Sequence, residues 1–251
     1  VFFGIEHWSP RIQRRIKKHL KPAAAREKIQ QLVEAGITTR VNLIYGFPFE
    51  TESEFEENII GAVDSLRIGY ANNYRVKVMM FQFTPLPGTP IIEEFGDRLE
   101  LREEGKAGSF SALSEAPEHE REMIRAYPAI FASYYTVPPA ALSMAFLDFF
   151  SDVARPCLVN FPLSFYFARL EGELTYVDLF KQLRTYLEQK HGSDWLAHAR
   201  QQVSSATYEF LFDFILARFP DDERPVMTDV MEYEHNLSFI SRSEEGAWNV
   251  N

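Results

Sequence analysis

Cysteine is almost absent from this chain: Cys157 stands alone among 251 residues. One thiol excludes an intramolecular disulfide framework and fits a reducing compartment. It equally excludes a multi-cysteine metal site built from these residues alone. No apolar run approaches the roughly 20 residues of a membrane span. The opening Val1-Phe2-Phe3-Gly4 turns polar by Glu6 and does not read as a secretory leader. These absences make a cytoplasmic location without a membrane partner the expectation. A basic stripe of the nucleic-acid-binding kind is also missing, so no nucleic acid is expected as a partner. Residues 1–108 carry fifteen basic and fifteen acidic side chains, whereas residues 109–251 carry eleven and twenty-one. The whole net charge of −10 therefore lies in the second part, and two regions of different character are expected.

What is present is organised around Val41-Asn42-Leu43-Ile44-Tyr45-Gly46-Phe47-Pro48-Phe49-Glu50-Thr51. Uncharged β-branched, aliphatic and aromatic residues at 41–45 suit a strand buried on both faces, as in a parallel sheet. Gly46 and Pro48 stop it. Thr51 and Glu54 then form a capping box for a helix carrying Phe55, Ile59, Ala62, Val63 and Leu66, with Gly69 as its expected C-cap. A first strand is expected over 1–6. It leads to a helix N-capped by Ser9 with Pro10 at N1, and Lys17 and Lys18 are placed in its last turn. A second helix runs from Pro22 to Gly36 with Ile29, Leu32 and Val33 inward. A third strand, 75–83, ends in the rigid loop Thr84-Pro85-Leu86-Pro87-Gly88-Thr89-Pro90. The order β-α-α-β-α-β is that of a parallel sheet with crossover helices. Three such strands leave a long apolar edge unpaired, so further strands are expected upstream.

The second part reads differently. Residues 97–114, rich in charge, glycine and serine, are expected to be a linker or lid between a first unit at 1–96 and a mainly helical unit at 115–251. Helices are expected at 116–126, 139–153, 162–171, 174–190 and 193–218, with an aromatic core that includes Phe149, Phe150, Phe165 and Phe180. The tail 236–240 reads as strand-like. The fold class is thus α/β with parallel strands, followed by a mainly α-helical C-terminal region.

Three strand ends carry a resemblance. Gly4-Ile5-Glu6-His7-Trp8-Ser9, Asn42-Leu43-Ile44-Tyr45-Gly46-Phe47-Pro48-Phe49-Glu50-Thr51 and Pro85-Leu86-Pro87-Gly88-Thr89-Pro90 resemble the motifs at the fourth, fifth and sixth strands of the radical S-adenosylmethionine (SAM) partial barrel. The match covers just over a third of the chain. The resemblance implies that Glu6 accepts hydrogen bonds from the SAM ribose hydroxyls. It implies that Lys18 faces the ribose and the methionyl carboxylate, although a solvated helix-end cation explains Lys18 as well. Asn42 stands where the family often has an acid, Ile44 would meet the adenine or be plain core, and Thr84 would offer backbone groups to the adenine edge. Glu50 would order its turn. His7 and Trp8 replace small residues of the motif, with Trp8 expected to cover the core and His7 to lie at the surface or behind the ligand contacts. Phe49 replaces a glycine.

The family's three-cysteine motif for the [4Fe–4S] cluster has no counterpart here. The resemblance therefore implies the distal part of a longer enzyme, whose missing N-terminal half holds the cluster ligands, with or without a cobalamin domain. The implied reaction is generation of a 5′-deoxyadenosyl radical or cobalamin-assisted methyl transfer on a small-molecule or peptide substrate, the fragment alone being inactive. Two other readings stand beside it: a degenerate nucleotide-binding module without radical chemistry, and an interaction protein in which the acidic helical region matters.

Overall fold

The structure, a computed structural model, describes residues 1–104 and 112–248, with backbone alone for 239–248. Three strands, β1 (Phe2–Glu6), β2 (Thr39–Tyr45) and β3 (Val76–Gln82), form a parallel sheet in the order β1-β2-β3. Val41 lies between Phe3 and Val78 in register. Helices α1 (Pro10–Arg15), α2 (Pro22–Glu34) and α3 (Glu52–Ala71) make the crossovers. The expected order β-α-α-β-α-β is the observed one.

The sheet is not buried on both faces. Thr39, Val41, Leu43 and Tyr45 are buried under α2 and α3, together with Val76, Val78, Met80 and Gln82. The alternate residues Arg40, Asn42 and Ile44 are half-buried, and Met79 and Phe81 are exposed at 37% and 36%. Side chains of successive strand residues point to opposite faces, so one apolar strand sequence serves a covered face and an open one.

Local chemistry fixes α3. The Thr51 hydroxyl accepts from the Glu54 amide at 3.3 Å, and Glu54 accepts from the Thr51 amide at 2.9 Å, the expected capping box. Gly69 is not the C-cap. It lies inside α3, where an added Cβ would come within 2.9 Å of the Val76 side chain. Gly61 is likewise pressed by the Trp8 indole, which covers the core as expected. Helix α1 ends at Arg15, earlier than expected, and Lys17 and Lys18 lie beyond it.

Beyond β3 come α4 (Pro90–Phe95) and a short antiparallel pair, β4 (Glu100–Leu101) with β5 (Tyr135–Thr136), flanked by α5 (Glu118–Ala126). The expected linker or lid at 97–114 includes residues 105–111, which lie outside the described residues. The remaining chain is helical: α6 (Met144–Phe149), a π-helical turn (Phe150–Ala154), α7 (Arg155–Asn160), α8 (Pro162–Glu171), α9 (Tyr176–His191), α10 (Trp195–Ser205), α11 (Glu209–Leu216) and α12 (Arg224–Trp248). The helix expected at 193–218 breaks at Ala206 and Tyr208, both left-handed, and buried Gln202 accepts from the Phe210 amide across the break. The strand expected at 236–240 is instead part of α12. Met227, Met231, Glu234 and Ser238 are buried there at helical spacing.

The helices share one core with the sheet. Phe150 packs edge-on to Tyr45 and Phe55 at 4.9 and 5.0 Å and reaches Phe180 at 5.3 Å. Among the described residues no helix is long and apolar enough to cross a membrane.

Helix α12 is tied to α8 by a buried carboxylate. Glu234 accepts from the Leu163 and Ser164 amides at 2.6 and 3.1 Å and from the Ser164 hydroxyl. Burial pushes its carboxyl up to about 8, against the pull of those three donors. In the unfolded chain the same group titrates near 4.5. The unfolded state therefore releases this proton first, and stability from Glu234 is full at low pH and lost as pH rises from about 4.5 to 8. We expect Glu234→Gln, which cannot ionise, to flatten the fall in melting temperature between pH 5 and 8 relative to wild type. Parallel slopes in the two proteins would contradict this.

Candidate functional site

The open face carries the candidate site. At the end of β1 the register with β2 slips: Gly4 is opposite Asn42, but Glu6 is opposite Leu43. This bulge re-aims the last side chain of the strand, as bulges beside functional sites do. Glu6 is left-handed at φ 65°, a conformation that costs a residue with a Cβ on the order of 1 kcal/mol. Lys17 and His19 are left-handed too, at φ 57° and 55°. They flank Lys18, whose Nζ donates to Glu6 Oε1 at 3.0 Å. Three strained residues around one ion pair point to a constraint beyond packing.

The pair lies over Gly4. A Cβ there would fall 2.6 Å from Glu6 Oε1 and 3.3 Å from Lys18 Nζ. Gly4 therefore opens the space that the carboxylate and ammonium occupy. Glu6 and Lys18 keep 25% and 41% of their side-chain exposure, so the pair is worth only about 0–1 kcal/mol and opens readily to a ligand. Opposite Gly4, the side-chain oxygen of Asn42 is buried with no hydrogen-bond partner. A buried acceptor left unpaired costs about 1–3 kcal/mol, which a donor on a bound ligand would recover. Ile44 is two residues further along the same face, opposite Phe81. Its carbonyl already accepts from the Asn58 side-chain amide nitrogen at 3.0 Å, and strand alternation turns its side chain to that face. Thr84 is half-buried, two residues past β3. The structure thus brings Glu6 and Lys18 together beside Gly4 and Asn42, with Ile44 on the same face. Among the described residues no hydrogen bond or ion pair joins Thr84 to the other four.

A buried polar frame holds this edge. The Glu50 carboxylate accepts from the Gly46 and Phe47 amides at 2.5 and 3.0 Å, and from His7 Nε2 at 2.9 Å. The Ser9 amide donates to His7 Nδ1 at 2.9 Å, which places the His7 proton on Nε2, facing Glu50. Both side chains are fully buried. His7 is thus no surface residue. Asn58 bridges the same two loops, accepting from the Trp8 amide at 3.1 Å while donating to Ile44. Gln13 donates to the Ile5 and His7 carbonyls, both at 2.5 Å. Sequence reasoning assigned Glu50 to its turn but missed Asn58 and Gln13, both polar residues at buried helical positions.

The donor set does not fit an iron–sulfur cluster. Cys157 is fully buried in α7, and burial pushes its thiol well above the usual range. Among the described residues no three His, Cys, Asp or Glu side chains gather as a metal site. No cluster ligation is assigned to these residues.

No family model matches the chain. Over 99 residues it is 33% identical to the tRNA-2-methylthio-N(6)-dimethylallyladenosine synthase of Thermus thermophilus, with the same identity in each of two strains of that organism. That stretch is 39% of this chain and 20% of those proteins, so the chain spans about a fifth of the length of the curated relatives it matches. The similarity is partial and distant, and it is consistent with the radical SAM resemblance of the strand-end motifs. No solved structure matches.

Removing the Glu50 carboxylate leaves His7 and two amides unpaired inside the protein. We expect Glu50→Ala to cost about 3–5 kcal/mol, since three buried donors lose their acceptor at about 1–3 kcal/mol each, and Glu50→Gln, which keeps one acceptor, to cost less. Urea unfolding of the two variants checks this. Equal stability of Glu50→Ala and wild type would contradict the buried frame.

Proposed function

We propose that this chain supplies the adenosyl-facing part of a SAM site in a radical SAM enzyme, the cluster ligands coming from residues outside it. One observation carries the reading: Glu6, at the C-terminal end of β1, and Lys18 converge over Gly4, beside the orphaned Asn42 oxygen, on the open face of a parallel sheet. Open α/β sheets bind ligands at that edge. In this reading Glu6 accepts from the two ribose hydroxyls, as a carboxylate can. Lys18 holds that carboxylate in place and faces the anionic end of the ligand. Asn42 accepts one donor, and the apolar side chains of Ile44, Met79 and Phe81 exclude water. Bound to a reduced cluster, SAM would supply radical or methyl-transfer chemistry.

The residues present fit the nucleoside and not the cluster. A nucleotide-holding module without radical chemistry is therefore the second reading. The substrate we propose is a small molecule or peptide, in keeping with a net charge of −10. The tRNA in the name of the matched relatives belongs to proteins five times longer than the aligned stretch.

Hydrogen bonds to a charged acceptor contribute about 1.5–3 kcal/mol each. We expect Glu6→Ala to weaken SAM binding by roughly one to two powers of ten, with the melting temperature unchanged. Glu6→Gln should do less harm, because its amide oxygen still accepts. Isothermal titration of SAM into the three proteins decides. Equal affinities, or no saturable binding by wild type, would overturn the assignment.

A further inference from the structure

A second polar site lies on the other side of the sheet. The π-helical turn Phe150–Ala154 runs into α7, and across from it stands α10. Between them is a cavity of about 380 Å³ lined by Ser151, Asp152, Arg155, Arg200, Val203 and Ser204. That volume is within the range of small-molecule sites. A π turn inserts an extra residue into a helix, and such turns recur at functional sites.

The cavity has an excess of donors. Arg155 donates from one terminal nitrogen to the Met80 carbonyl at 3.2 Å and from the other to the Ser151 carbonyl at 3.1 Å. Its Nε is buried and has no partner. Arg200 donates from Nε and one terminal nitrogen to a single Asp152 oxygen. A guanidinium has five N–H donors, and Arg200 keeps 44% of its side-chain exposure, so the rest of its fork faces the opening. Asp152 is the one acid in the lining, against two arginines. The lining therefore carries a net positive charge and unspent N–H groups.

The site is also wired to the strand ends. The Ser151 hydroxyl is 2.5 Å from the Tyr45 hydroxyl and 3.5 Å from Gln82 Oε1. Tyr45 and Gln82 are the last residues of β2 and β3 and are buried on the covered face. The open face with Glu6 is the opposite one, so the two sites are separate.

We propose that this cavity binds the oxyanion of a small molecule, a phosphate or a carboxylate, on the paired guanidinium groups of Arg155 and Arg200. Planar guanidinium forks match both groups. The exposed remainder of the Arg200 fork meets the ligand, across the cavity from Arg155. The inference is independent of the SAM reading.

The test follows the Val203 methyl resonances by NMR while inorganic phosphate, and in a second arm acetate, is added at constant ionic strength. We expect a saturable shift in at least one arm, the arm identifying the anion. Arg155→Lys keeps the charge and removes the fork and its Nε–H. Ser204→Asp places a negative charge at an exposed helix position that the fold tolerates. Each should weaken the binding tenfold or more. Shifts linear in concentration in both arms, or saturable binding unchanged in both variants, would overturn the proposal.

Discussion

The Glu50 carboxylate holds the functional edge of this molecule together. It sits where two loops meet, takes two amides from its own turn and reaches back to His7 at the end of the neighbouring strand. Buried charges persist only when paired and hydrogen-bonded, and this one has a donor from each direction. His7 in turn is oriented by the Ser9 amide at the start of α1. The position of Glu6, one residue before His7, and of Lys18, just beyond α1, follows from that frame. Strain at Glu6, Lys17 and His19 is held by it. A site that needs left-handed residues with side chains needs a rigid support, and the support here is polar and fully buried.

The sheet divides its labour by face. Along β2 and β3 the inward residues build a core with α3 and the C-terminal helices, with Phe150 bridging Tyr45, Phe55 and Phe180. The outward residues are mixed, Arg40, Asn42 and Lys77 beside Ile44, Met79 and Phe81, and are left half open or exposed. One of its polar residues, Asn42, has an oxygen with nothing to bind. Such a face is built to be covered, and the glycine at position 4 keeps one part of it accessible.

Much of this was legible in the sequence because it is local. The capping box at Thr51 and Glu54, proline at the start of α1 and the strand order need only neighbours and period. The open face was not legible. Leu43, Ile44 and Tyr45 read alike, and only the position of α3 decides which of them faces the core. The β1 bulge was equally hidden, since Glu6 gives no residue-type signal for a left-handed backbone. The tail was misread because β-branched and aromatic residues at 236–240 suggest a strand, whereas burial of Met227, Met231 and Glu234 one helical turn apart outweighs that preference. Of the candidate site, Glu6 and Lys18 came from motif resemblance and were found in contact, while their support by Asn58 and Gln13 required the fold.

Two adjacent methionines offer the most direct measurement of the central claim, that the open face is the ligand face. Met79 points to the open face opposite Asn42, and Met80 is buried on the covered face. With ¹³C-methyl methionine, addition of SAM should shift the Met79 resonance saturably and leave Met80 in place. A shift at Met80, or at Met231 in the helical core, with Met79 unmoved would contradict the account.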